Sequence, residues 1–106
     1  VSEGIKFDEK KAPMVLTPVA AKIAMAEAFG YGAKKYGKWN YKKGMDWTRL
    51  LSATERHLDA FKDGEDIDPE SGVNHLGHAL ADIAMLMDYY QNKLGTDDRY
   101  KKDGKT

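Results

Sequence analysis

Apolar residues recur along three stretches of this chain at the spacing of helix faces. In the first, alanine is dense and Leu16, Val19, Ile23 and Ala26 share a face. In the second, Trp47, Leu50, Leu51, Thr54, Leu58 and Phe61 form one stripe. In the third, Leu76, Leu80, Ile83, Met87 and Tyr90 do the same. The punctuation between them predicts the ends. Thr17 is a candidate N-cap with Pro18 at the first helical position, which predicts a helix over 18–35. Gly30 and Gly32 near its end would bend it or admit a ligand to the backbone. Gly37 and Gly44 mark a loop over 36–46. Asp46 is a candidate N-cap for a second helix running to about 62, and Gly64 ends it. A third helix begins after Asp68-Pro69 or, because Gly72 is a weak helix former, at Asn74. It runs to about 93, with Gly95 as the residue past its end.

These elements predict an all-α fold, a bundle of three main helices with short connections. Three such stripes bury themselves poorly alone, so a homo-oligomer, a dimer or tetramer, is expected to complete the core. Residues 1–95 read as one domain and 96–106 as a polar tail, mobile or ordered only against a partner chain. The arm before the first helix is similar but carries Ile5 and Phe7, which could dock.

Composition narrows the function. Lys plus Arg equals Asp plus Glu at 17 each, giving zero net charge. That balance argues against a nucleic-acid polymer or a membrane surface as partner, since both favour a basic excess. Cysteine is absent, which excludes disulfides and a cysteine-ligated zinc site. No apolar run approaches a membrane span. The expected compartment is the cytoplasm. The charges are nevertheless segregated: Lys34, Lys35, Lys38, Lys42 and Lys43 interleave with Tyr36, Trp39 and Tyr41, whereas Asp59, Asp63, Glu65, Asp66, Asp68 and Glu70 form an acidic stretch.

On the third helix His75, His78 and Asp82 stand at i, i+3, i+7, a narrow arc at about 100° per residue. Two imidazoles and a carboxylate there suit a divalent metal; histidines filling a wet interhelical gap would look the same. The acidic loop before them, with Asp68 and Glu70, is expected to repel itself unless a cation or basic group sits among it; Asp68 as a plain N-cap is the simpler use. On the second helix His57 lies at the edge of the apolar stripe, with Arg49 and Arg56 just beyond. An antiparallel hairpin about Asp66 would bring His57 and His75 to matching depth. Glu55 and Asp59 fall on the opposite flank, where solvation is their expected role. The lysine-rich loop pairs phosphate-binding charge with stacking rings. No Walker-type glycine loop, nucleophilic cysteine or serine elbow is present. An acidic site facing a basic, aromatic one suits metal-assisted attack of water on a nucleotide phosphorus.

The ordered string Gly32-Ala33-Lys34-Lys35-Tyr36-Gly37, Asn40, Trp47, Arg56-His57-Leu58, the nine residues from Gly64 to Gly72, then His75-Leu76 and His78-Ala79 resembles the dATP/dGTP diphosphohydrolase domain of phages and prophages. Lys6-Phe7-Asp8, Lys11 and Pro13 resemble that family's start. The resemblance implies kinship with all-α MazG-type enzymes. It implies cleavage of a purine deoxynucleoside triphosphate, dGTP or dATP, to the monophosphate and pyrophosphate with Mg²⁺ or Mn²⁺, in the host cytoplasm if phage-encoded. It also implies substrate contacts from Lys34, Lys35, Tyr36, Asn40, Trp47, Arg56 and His57, and metal or water-activating roles for Glu65, Asp68, Glu70, His75 and His78. Taken with the helix faces, the candidate catalytic residues are Glu65, His57 and His78. The candidate substrate residues add Arg49, and the candidate metal ligands are Asp68, Glu70, His75, His78 and Asp82. The chain departs from the wider MazG pattern where Arg56-His57 replaces paired glutamates, where His78 and Asp82 replace glutamate and aspartate, and in reading Asn40-Tyr41 for the closer family's Asn-Trp. Two other readings use the same segments: a non-catalytic nucleotide-binding or sequestering protein, needing only the basic half, and a structural oligomer needing neither.

Overall fold

The computed structural model describes Gly4 and residues 9–104. Ile5, Phe7 and the Lys6-Phe7-Asp8 string lie outside the described residues. The all-α expectation holds: three helices pack together, and no strand occurs among the described residues. They are α1, Val19–Tyr36; α2, Trp47–Lys62; and α3, His75–Asn92, with short 3₁₀ turns at Met14–Leu16 and Asn40–Lys43. No described helix is long and apolar enough to cross a membrane.

The caps differ from the sequence reading in instructive ways. Thr17 does not cap α1; its hydroxyl donates to Met14 O at 2.7 Å, closing the 3₁₀ turn, and Pro18 takes the cap position. Asp46 occupies the cap position of α2 but makes no side-chain cap bond. Instead the distant tail serves this end. Trp47 N–H donates to Thr96 O at 3.0 Å. Thr48 N–H donates to Asp98 Oδ1 at 2.9 Å, and the Thr48 hydroxyl donates to Asp98 Oδ2 at 2.6 Å. A carboxylate at a helix N-terminus satisfies orphan donors and suits the dipole. Residues 96–98 therefore close onto α2 of their own chain instead of standing free.

α3 starts at the second of its two expected positions. Asn74 caps it, accepting from Leu76 N–H at 2.8 Å. Asp68 is released from the N-cap role because residues 66–75 form a tight hairpin, with Asp68 N–H on Val73 O and His75 N–H on Asp66 O, both 2.9 Å. Lys93, at φ 56°, terminates α3. Gly95 has another use: its Cα side lies against Met45 O, and a Cβ on Gly44 would fall 2.6 Å from Gly95 N. Two glycines at positive φ let these backbones touch.

α3 is the central helix, packed on both α1 and α2. Its small residues make that possible: a Cβ on Gly77 would lie 2.5 Å from Ala24 O of α1, and Ala81 joins Ala28 and Val73 in the core, with Met25, Phe29 and Tyr31 packed around them. Tyr89 is fully buried, its hydroxyl on Tyr41 O. The expected core stripe of α3 is overturned within the single chain. Leu76, Ile83, Met87 and Tyr90 are 38 to 66% exposed, and on α1 so are Val19 and Ile23. Contact with two neighbours demands two faces of small residues, which leaves the large apolar face outward.

Candidate functional site

Because α1 and α2 both lean on α3 and scarcely on each other, a cleft of about 460 Å³ opens between them with α3 as its floor. That volume falls within the range of small-molecule sites. The last turns of α1 and the following loop supply Tyr31, Gly32, Lys35, Tyr36, Lys38 and Asn40. α2 supplies Arg49, Ala53, Arg56 and His57; α3 supplies His78, Ala81 and Asp82; the hairpin before it supplies Asp68 and Glu70. Gly32 has open space where a Cβ would stand, so the backbone of α1 is accessible there.

The expected meeting of α2 and α3 histidines is realised. His57 Nδ1 and His75 Nδ1 are 2.9 Å apart, and His75 Nε2 lies 2.7 Å from Glu65 Oε1. The His57 ring stacks on His78, 4.6 Å between centroids at 12°. His78 Nε2 lies 2.6 Å from Ser71 Oγ, which itself donates to Asp68 Oδ2 at 2.7 Å and accepts from Val73 N–H at 3.1 Å. With its one proton committed to the carboxylate, Ser71 accepts from His78 Nε2–H, and His78 Nδ1 is left bare. Burial pushes His57 below the usual imidazole range, and the neighbouring imidazoles His78 and His75 push it further. Burial does the same to His78 against the opposing pull of Asp68. The stacked pair is thus neutral near pH 7.

The carboxylates are not equivalent. Burial acts to raise Asp68, but hydrogen bonds from the Ser71 hydroxyl and the Glu70 and Ser71 N–H groups outweigh it and hold Asp68 below the usual carboxylate range. Glu70 pairs with Lys35 at 3.2 Å, and that hydrogen bond raises the Lys35 ammonium. Asp82 has no such help. Its Oδ2 is buried without a hydrogen-bond partner, and burial raises its pKa to about 7 against a weaker pull from Arg56. Arg49, Arg56 and Lys38 line the same cleft, so three cations border it, Arg56 close enough to act on Asp82.

Of the candidate metal ligands, Asp68, Glu70, His78 and Asp82 line the cleft, whereas His75 lies behind His57 with both ring nitrogens in hydrogen bonds. Among the described residues no group of three or more His, Asp and Glu side chains is arranged to hold a metal ion. Protein partners engage Glu65, Asp68 and Glu70 in this arrangement. Lys34 and Trp47 also lie outside the cleft. Trp47 Nε1–H donates to Leu94 O at 2.9 Å, and Arg99 covers its ring, so it fastens the tail. Sequence reasoning missed Tyr31, which meets the His78 ring edge-on at 6.0 Å. Its signal was its position one turn before Lys35. It also missed Ser71, whose hydroxyl joins Asp68 to His78.

Known proteins add to this geometry. The model of a family described as dATP/dGTP diphosphohydrolase, N-terminal, matches residues 1–99. A protein of Salmonella phage PMBT28 named dATP/dGTP diphosphohydrolase is 34% identical over 96 residues, or 91% of this chain. The chain spans 33% of that relative's length. No solved structure matches it.

Proposed function

The chain belongs to the dATP/dGTP diphosphohydrolase N-terminal family, and from that premise we propose that its cleft binds a purine deoxynucleoside triphosphate, dGTP or dATP, and hydrolyses it to the monophosphate and pyrophosphate. The observation that carries this reading is that Lys38, Arg49 and Arg56 line one cleft together with the stacked imidazoles of His57 and His78. The cations take the phosphate oxygens, Arg in the forked geometry suited to them. Tyr31, Tyr36 and Asn40 stand where the nucleoside would lie. A neutral His57 or His78 has a ring nitrogen able to take a proton from water. The expected Mg²⁺ or Mn²⁺ is proposed as a companion of the triphosphate, carried in with it, instead of a resident ion. A homo-oligomer, dimer or tetramer, belongs to the same reading, supported by the outward apolar face of α3.

The test is incubation with a panel of ribo- and deoxynucleoside triphosphates with Mg²⁺, Mn²⁺ or chelator, with products separated by charge. Monophosphate and pyrophosphate from dGTP or dATP are expected. Release of orthophosphate, or no product from any nucleotide, would sink the hydrolytic reading. A second reading, binding without turnover, is favoured by one observation: Glu65, Asp68 and Glu70 are each engaged by a protein partner. Calorimetric binding of dGTP without product would select it.

A further inference from the structure

Two imidazoles and one carboxylate form a hydrogen-bonded chain, and with both rings neutral its direction follows from counting protons. An ionised carboxylate only accepts, so Glu65 Oε1 requires the proton on His75 Nε2. With one ring proton on His75, already placed on Nε2, its Nδ1 is bare and accepts. Its partner across 2.9 Å is His57 Nδ1, which must therefore donate. That places the His57 proton on Nδ1 and leaves Nε2 with a free lone pair, on a ring that lines the cleft. Neither residue behind His57 reaches the cleft wall. His75 is 4% exposed, and Glu65 lies on the far side of it with its side chain 53% exposed. Without Glu65 the proton between the two Nδ1 atoms could sit on either ring, and His57 would divide between tautomers. The ring is held in plane as well, by His75 at its edge and by His78 stacked on its face.

We propose that Glu65 and His75 are positioning residues that fix the tautomer of His57, so that His57 Nε2 is the atom that takes the proton of the attacking water. Its catalytic consequence rests on the hydrolytic reading; the tautomer itself does not. In the step, the water oxygen forms a bond to the α-phosphorus while its proton passes to His57 Nε2, giving an imidazolium. The bond from the α-phosphorus to the bridging oxygen breaks, and pyrophosphate leaves with the electron pair. The imidazolium then returns its proton to solvent. Hydrogen bonding of one imidazole nitrogen decides what the other can do, and a buried relay that does so outside the cleft is not revealed by inspection of the cleft alone.

The chain has three histidines, so long-range proton–nitrogen NMR of the uniformly ¹⁵N-labelled chain resolves every ring nitrogen. His57 is expected to show a protonated Nδ1 and a bare Nε2, with His75 protonated on Nε2. In Glu65→Ala the two His57 nitrogens should move toward averaged shifts. Turnover should fall about tenfold or more, with KM within about twofold. In Glu65→Gln, whose side-chain carbonyl still accepts, both shifts and turnover should largely recover. Because Glu65 is half exposed, these variants are expected to fold, and circular dichroism checks it. A wild-type His57 protonated on Nε2, shifts indifferent to Glu65→Ala, or a loss carried by KM alone would overturn the relay. If the unmodified chain hydrolyses no nucleotide, the proton-acceptor role falls with the hydrolytic reading, while the NMR result still decides whether the tautomer is fixed.

Discussion

Asp82→Asn should stabilise the protein at pH 8 and leave it nearly unchanged at about pH 3.5, below the unfolded carboxyl value. Asp82 Oδ2 is buried with no partner, and burial raises its pKa from 3.8 to about 7. Between those values the folded chain keeps a proton that the unfolded chain has released. Stability tied to this group is therefore intact below the unfolded value and declines as pH rises through the window. At about 1.4 kcal/mol per pH unit the full displacement corresponds to about 4 kcal/mol. The carboxyl is not wholly removed from water and Arg56 partly offsets its charge, so about 2 kcal/mol is the expected difference at pH 8. Asparagine matches the protonated acid in shape and never ionises, so at about pH 3.5, below the unfolded value of 3.8, the two proteins should agree within about 0.5 kcal/mol. Urea denaturation followed by circular dichroism at both pH values measures this, and His57 and His78 titrate alike in both proteins, so they drop out of the difference. A stability difference that ignores pH, or an asparagine variant weaker at pH 8, would refute the reasoning. The second outcome would mean that Arg56 and an ionised Asp82 form a net stabilising pair.

Two glycines on different helices should behave oppositely. Gly77→Ala forces a Cβ to 2.5 Å from Ala24 O and should cost about 1–3 kcal/mol in urea unfolding, whereas Gly32→Ala meets open space and should add up to ~1 kcal/mol while raising the KM for dGTP by narrowing the cleft. Tyr89→Phe removes a buried hydroxyl donating to Tyr41 O and should cost about 1–1.5 kcal/mol by the same measurement. Arg49→Ala and Arg56→Ala should each weaken dGTP binding about tenfold by calorimetry, with less salt dependence than the parent chain; unchanged affinity in both would remove the cationic wall from substrate binding.

The three helices and the meeting of His57 with His75 were legible because both follow from local rules. Asn74 sets where α3 starts and Gly37 where α1 stops, and a hairpin about Asp66 puts residues equally far from the turn side by side. Lys35, Tyr36, Asn40 and Arg56, which the family resemblance implied as substrate residues, and Arg49, added from its helix face, line one cleft. Lys34 and Trp47, implied by the same resemblance, lie outside the cleft, because neighbours in sequence on a helix point to different sides.

What periodicity conveys is which residues share a face; it carries no information about what covers that face. Gly77 and Ala81 stand outside the large apolar stripe of α3, yet their lack of bulk is what lets α3 touch α1, and the larger Ile83, Met87 and Tyr90 are turned outward in consequence. The same holds for charge. The acidic loop reads as a cluster awaiting a cation, whereas folding hands Glu65 to His75, Glu70 to Lys35 and Asp68 to Ser71, and strands Asp82 without a partner. Helix formation is governed by residues within a turn or two of one another, so the linear order suffices for it. Proton position, burial and ion pairing depend on groups brought together from across the chain, and these take their values from packing in three dimensions.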